Sequence, residues 1–152
     1  MEAIRHATPD DAVLITQHRA KMFGDNKFAT PEQMDAMSLA HEPWVRKRLR
    51  DGRYAGVIAE ENGEAIASAG VFFADFPPHW MDAEPMRPYL LNFYTAPAAR
   101  GRGIAKQMLQ MLIDECRSRG AKAITLHASK FGKPIYEKFG FEGTNEMMLK
   151  LK

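Results

Sequence analysis

Cysteine is nearly absent: Cys116 stands alone in 152 residues, so no disulfide closes within the chain and a reducing compartment fits. The five histidines (6, 18, 41, 79 and 127) fall at no metal-ligand spacing, and no metal is expected. No stretch approaches the roughly 18–20 apolar residues of a membrane span. The opening M-E-A-I-R-H-A-T-P-D-D has no apolar run of signal length. These absences predict a soluble, cytoplasmic protein with no membrane partner. Neither sign of charge prevails. Lys plus Arg at 21 against Asp plus Glu at 19 gives +2, too balanced for a dedicated nucleic-acid partner. Internal repeats, low-complexity tracts and linker-like boundaries are missing too. One domain over residues 1–152 is expected, long enough to bury a core without metal or disulfides. A composition 45% apolar and 26% charged argues against disorder.

What is there reads as alternating short elements. A strand over 3–5 leads to Thr8-Pro9-Asp10-Asp11, a helix start with a capping residue, a proline at the first position and an acid three residues on. Ala12, Ile15, Arg19 and Met22 recur at helical spacing with Phe23 beside them, and Gly24-Asp25-Asn26 ends the run. Thr30-Pro31-Glu32-Gln33 repeats the start signature, and Pro43 is expected to break or kink that second helix. Runs over 54–60 and 65–73 about Asn62-Gly63 predict an antiparallel hairpin. A proline-rich loop over 74–88 precedes a continuous apolar run, 89–95, of buried-strand type. Ala105, Met108, Leu109, Leu112, Ile113 and Cys116 share one face of a helix over 104–119, with Gly120 as its stop. A strand over 123–128, a short helix over 134–139 and a last strand over 146–151 complete one α+β (α/β) domain.

The chemistry concentrates between Tyr89 and Phe141. The strand Y-L-L-N-F-Y-T runs through A-P-A-A into R-G-R-G-I-A and straight into the amphipathic helix. Gly101 and Gly103 allow a tight turn and close approach of a ligand. The first helical N–H groups lack partners within the helix and carry partial positive charge. A strand, glycine-rich loop and helix in this order make a phosphate cradle, with Arg100, Arg102 and Lys106 nearby. The phosphate loop G-x-x-x-x-G-K-[ST] is absent, as is the dinucleotide fingerprint G-x-G-x-x-G.

The segment T-A-P-A-A-R-G-R-G-I-A at 95–105, with I-Y-E-K-F-G-F at 135–141 and the intervening helix and strand, resembles the GNAT superfamily of N-acetyltransferases. Before Tyr89 the resemblance is architectural only. It implies a mixed, mostly antiparallel sheet flanked by helices and splayed at the central strand. It also implies acetyl-CoA as co-substrate and direct acetyl transfer to a small-molecule or peptide amine. On this resemblance the backbone of Gly101, Arg102, Gly103, Ile104, Ala105 and Lys106 binds the CoA pyrophosphate, with Arg100 at the motif's first position. Phe93, Tyr94 and Thr95 hydrogen-bond the pantetheine arm, and a free N–H near Tyr94 polarises the acetyl carbonyl. Tyr136 is the candidate acid for the departing thiolate; its alternative is an aromatic packed between Ile135 and Phe139. Ser129 either touches the CoA arm or caps the next helix.

The base is where the sequence departs from the family's pattern. Many members carry Glu on the central strand or its neighbour; here Asn92 stands on that strand, which orients substrate or water, or satisfies buried backbone. His127, His79, Asp82, Glu84 and a water chain with no single base all stand as candidates. The acceptor side draws on Met22, Phe23, Phe28, His79, Trp80 and Asn92, with Asp75, Asp82 and Glu84 available to a cationic amine. Cys116 falls on the core face of its helix and is not expected to carry an acyl group. A non-catalytic acyl-CoA-sensing module is the alternative function, and a homodimer covering exposed strand edges is compatible with the pattern.

Overall fold

Both threonine-proline starts open helices. The computed structural model describes residues 3–25, 27, 29–130 and 132–151. The Thr8 amide donates to Asp11 Oδ2 at 2.8 Å above a single 3₁₀ turn, and α1 follows over Ala12–Asp25. At Thr30 the box is reciprocal: Gln33 N donates to Thr30 Oγ1 at 3.2 Å, and Thr30 N to Gln33 Oε1 at 2.9 Å. The helix it opens, α2, runs over Pro31–Asp51 without interruption. The expected break at Pro43 does not occur. Pro43 and Leu39 both lie on the exposed side, so water can take the Leu39 carbonyl that the missing N–H leaves free.

The sheet consists of β1 (Ala3–His6), β2 (Tyr54–Glu61), β3 (Glu64–Asp75), β4 (Met86–Thr95) and β5 (Thr125–Leu126), neighbours in that order. The first three pairings are antiparallel and β4–β5 is parallel. The hairpin about Asn62-Gly63 therefore forms as predicted, and both its strands are longer than the sequence runs. The proline-rich loop is correspondingly shorter, because β3 extends to Asp75 and β4 begins at Met86.

Two helices complete the chain, α3 (Ile104–Ser118) and α4 (Lys133–Lys138). The sheet separates two apolar layers. On one face Ile104, Met108, Leu109, Leu112, Ile113 and Cys116 of α3 pack on Val57, Val71, Phe73 and Leu90. On the other, Ala12, Ile15, Val45 and Tyr54 join Trp44, Leu49, Phe72 and Leu91 between the first two helices and the strands. Ala105 is not part of the α3 core face as predicted; Ile104 takes that place. Cys116 is buried at 1% exposure, and burial pushes its thiol up to about 11, as expected of a core residue.

The expected strand over 123–128 contracts to two residues, and no strand forms over 146–151. Residues 141–151 carry no regular structure, leaving Met147, Met148, Leu149 and Leu151 exposed. An alternating apolar pattern makes a strand only against a ladder partner, and β5 is too short to offer one.

Candidate active site

The central strand carries an irregularity at its middle. Pairing runs Ser68↔Tyr94 and then Gly70↔Leu91, so two β4 residues, Asn92 and Phe93, oppose one on β3. Asn92 holds φ 62°, a left-handed conformation that Asn tolerates better than most side chains. On its other side β4 pairs with β5 only at Tyr89↔Thr125 and Leu90↔Leu126. Beyond Leu90 the strands part, and residues 91–95 present backbone groups with no strand beside them. This is the splay that the resemblance implied.

A cleft of about 910 Å³ opens at that point. Residues 89–95 form its floor, and α1 contributes Arg19, Met22, Phe23 and Asp25. Gly101, Gly103, Ile104, Ala105 and Lys106 form one end, and His127, Ser129 and Tyr136 close the far side. Gly101 and Gly103 take φ 80° and 81°, and a Cβ at either would meet nothing within 4 Å. Glycine is needed here for its backbone conformation, and the space in front of the loop is free for a ligand. Gly103 caps α3, so the N–H groups that open this 15-residue helix face the cleft. A polyanion fits this end.

The predicted cofactor residues separate into two groups. Phe93, Tyr94, Thr95, Gly101, Gly103, Ile104, Ala105, Lys106, Ser129 and Tyr136 all line the cleft. Arg100 lines it too, but its side chain, though exposed, is engaged by the protein. Nε donates to the Thr95 carbonyl at 2.9 Å, and Nη2 pairs with Asp25 Oδ2 at 2.9 Å. That pair ties the loop to the end of α1. Arg102 pairs with Glu61 and is not part of the cleft wall. Ser129 Oγ accepts from Gly132 N at 3.1 Å, the capping role weighed for it, while still facing the cleft.

Tyr136 stands edge-on to Phe93 and Phe141, each with ring centroids 5.8 Å away. Burial pushes its phenol up to about 12, so the hydroxyl keeps its proton through neutral pH. His127 Nδ1 lies 2.7 Å from Tyr89 Oη, and Nε2 faces Glu146. Tyr89 was not singled out in the sequence; its place one step before the strands part gives no sequence signal.

The acceptor residues fare differently. His79 and Trp80 lie in the loop before β4, bridged by His79↔Asp82, and line neither this cleft nor its neighbour; Trp80 is 89% exposed. Phe28 lies outside the described residues. Asp82 is spent on backbone: its carboxylate accepts from Glu84 N at 3.1 Å and Lys122 N at 3.0 Å, which hold it below the usual carboxylate range.

Asn92, by contrast, heads a buried polar cluster. Its Oδ1 accepts from Arg19 Nη1 at 2.6 Å, and its Nδ2 donates to Tyr54 Oη at 3.1 Å and toward His41 Nε2 at 3.5 Å. With Nε2 accepting, His41 carries its proton on Nδ1 and donates to Thr16 Oγ1 at 2.8 Å. Arg19, Met37, Ala40, His41, Trp44 and Leu91 enclose a second, shallow recess of about 350 Å³. Arg19 and Leu91 belong to both walls. The signal that could have found Arg19 was in the sequence: it is the one charged residue among the apolar positions of α1.

Burial pulls His41 and His18 down to about 4, with Arg19 adding to the shift at His41 and Lys21 at His18. His18 Nδ1 shares a 2.6 Å hydrogen bond with Ser68 Oγ. Unfolded, each ring takes a proton below about 6.5; folded, it does so only below about 4. Stability is therefore full above about pH 6.5 and declines as pH falls toward 4. The slope is at most about 1.4 kcal/mol per pH unit for each histidine. Urea melts at pH 7 and 5 should show this loss, and replacing both histidines by Gln should flatten it. An unchanged slope in that double variant would reassign the acid sensitivity to carboxylates.

Comparison with known proteins agrees with this geometry. The sequence profile of the acetyltransferase (GNAT) family matches residues 17–141. An uncharacterized N-acetyltransferase of Bacillus subtilis, YhfO, is 29% identical over 143 residues, covering 91% of this chain and 89% of its own. The crystal structure of a GCN5-related N-acetyltransferase from Ralstonia eutropha is 32% identical with a TM-score of 0.93, covering 99% of each chain. That of a predicted acetyltransferase with acetyl-CoA from Clostridium acetobutylicum is 34% identical at a TM-score of 0.90, covering 100% of this chain and 96% of the other. Cradle, splayed strand and tyrosine thus sit in a fold shared along its whole length, and the chain belongs to the GNAT family of acetyl-CoA-dependent N-acetyltransferases.

Proposed function

We propose that the protein moves the acetyl group of acetyl-CoA to a primary amine by direct attack, with both substrates bound at once. The observation that carries this reading is the convergence on one cleft of the α3 N-terminus, the unpaired β4 edge and Tyr136. The N–H groups of the loop and first helical turn hold the pyrophosphate, and β4 residues 91–95 hold the pantetheine arm as an added strand would. A β4 N–H at Tyr94 polarises the acetyl carbonyl.

The acceptor must arrive with a free lone pair. Among the described residues lining the cleft, Asp25 is paired with Arg100, so His127, held between Tyr89 and Glu146, is the side chain assigned to take the ammonium proton. Tyr89 orients it. As the new C–N bond forms the C–S bond breaks, Tyr136 Oη donates its proton to the departing thiolate, and the nitrogen releases its second proton to solvent, from which Tyr136 is reprotonated. Cys116 lies in the core and takes no part.

Calorimetry with acetyl-CoA, followed by free-thiol release against a panel of amines, tests this. Micromolar binding with amine-dependent thiol release is expected. Binding without turnover on any amine would instead favour an acyl-CoA-sensing module. Gly103→Val probes the cradle itself. A β-branched residue at φ 81° is strained by more than the roughly 1–2 kcal/mol of an ordinary side chain, so the loop must turn its N–H groups elsewhere. Open space around the position spares the fold. Acetyl-CoA should bind at least about tenfold more weakly, and the strain should lower the melting temperature by roughly 4–8 °C while the protein stays folded. Undiminished affinity would remove the loop from the site.

A further inference from the structure

Arg19 is a half-buried charge in the site with nothing of opposite sign beside it among the described residues. Its side chain lies between the cleft and the recess, and burial lowers the guanidinium from its ordinary value. Nη1 donates to the neutral carbonyl of Asn92, and the guanidinium lies 4.9 Å from the Phe23 ring centre. Nε is buried with no hydrogen-bond partner, and no carboxylate lies within 4 Å among the described residues. A guanidinium does not shed its charge to escape such a position. Burying it half-satisfied is costly unless an anion completes it. The other buried cluster members, Thr16, His41, Tyr54 and Asn92, are neutral at pH 7, so the protein itself supplies no counter-charge there.

The position of this charge identifies what completes it. Asn92 occupies the bulge next to Phe93 and Tyr94, where the acetyl carbonyl docks in the reading above. An anion on Arg19 is thus within one residue's reach of the reacting amine. Pyrophosphate, held at the opposite end by Gly101 to Lys106, is not a candidate for this place. Beside Arg19 the recess is apolar and aromatic: Met37, Ala40, Trp44 and Leu91 form its wall, with Trp44 held edge-on by Phe72 at 4.9 Å. Among the described residues, the acids that a cationic acceptor would need are absent from both walls except Asp25, which Arg100 already pairs with.

We infer that the acceptor is a small amino acid-like molecule whose carboxylate pairs with Arg19 while an apolar or aromatic body fills the recess against Trp44 and Leu91. This deepens the acetyltransferase reading and rests on it. A single guanidinium with one terminal nitrogen left over by Asn92 suits a monoanionic carboxylate. Polyamines and aminoglycosides, which bring only positive charge to Arg19, are poor acceptors by the same argument.

The test compares L-phenylalanine with L-phenylalaninamide and phenethylamine, which keep the amine and the ring and lose the anion. Acetyl-CoA binding is measured first, by calorimetry; if it fails, the acetyltransferase reading falls and this one with it. With acetyl-CoA bound, kcat/KM for phenylalanine should exceed that for the two analogues without the carboxylate by about 100-fold. In Arg19→Met the preference should shrink to within about threefold, and Arg19→Lys should restore part of it. A merely structural role for Arg19, holding Asn92 in its bulge, would lower turnover of all three amines together and leave their ratio alone. An unchanged ratio in Arg19→Met, or equal use of the three amines by the parent protein, overturns the inference. So does acetyl-CoA binding with no detectable phenylalanine binding to the CoA complex, which leaves the acetyltransferase reading standing.

Discussion

Replacing Tyr136 by Phe should lower kcat by about 100-fold or more while acetyl-CoA affinity and stability stay near those of the parent. The substitution removes one oxygen and keeps the ring. Its edge contacts to Phe93 and Phe141, and the space it fills beside Gly132, are unchanged. Among the described residues Tyr136 Oη makes no hydrogen bond, and burial alone raises the phenol to about 12. A hydroxyl on the cleft wall with no protein partner is poised to give its proton to a ligand atom, in the proposed reading the departing thiolate. The decisive comparison is thiol release at saturating acetyl-CoA, beside calorimetry and a thermal melt on the same preparation. A drop in kcat without a change in binding places the hydroxyl in the chemical step. Unaltered turnover would make Tyr136 a packing aromatic and strengthen the sensor reading.

The parts of this site that were legible in the sequence are those that depend on backbone geometry and element order. Gly101 and Gly103 signal a positive φ, and the apolar stripe of α3 signals a helix, because single residues carry those requirements. The splay and the Tyr136 position followed from the family resemblance, since both depend on how β4 and β5 diverge rather than on any one residue. His79 and Trp80 were expected on the acceptor side because a proline- and aromatic-rich loop looks like a pocket wall, yet they line neither the cleft nor the recess. In the folded chain Asp82 pins that loop to Lys122 N, away from the cleft. Arg19 was counted with the periodic face of its helix by spacing alone, and His41 was read only as one of five scattered histidines. Only the tertiary packing of α1 and α2 on β4 brings them to Asn92, 73 and 51 residues away in sequence.

Gly70→Ala should be among the most destabilising single changes in the chain, although it adds one methyl group far from any substrate. A Cβ at Gly70 would lie 2.0 Å from Tyr54 Oη and 2.2 Å from its Cζ, well inside contact distance. Tyr54 is 2% exposed and fixed by Trp44 edge-on at 6.3 Å, so its ring has nowhere to move. Overpacking of this kind costs about 3 kcal/mol, roughly 6–12 °C in melting temperature for a domain of this size. The clash falls on the group that anchors the active-site bulge, because Tyr54 Oη accepts the hydrogen bond from Asn92 Nδ2. Displacing Tyr54 releases one of the contacts that hold Asn92 at φ 62°, so kcat/KM should fall together with stability. A Tyr54→Leu partner change makes the argument testable. It removes the obstructing oxygen and ring edge, and the double variant should be less destabilised than the sum of the singles by more than about 1 kcal/mol. Additive losses would mean that Gly70 and Tyr54 do not meet, and a Gly70→Ala protein as stable as its parent would place Tyr54 elsewhere. With the coupling observed, glycine at 70 is the vacancy through which β2 reaches across β3 to brace the reactive turn of β4.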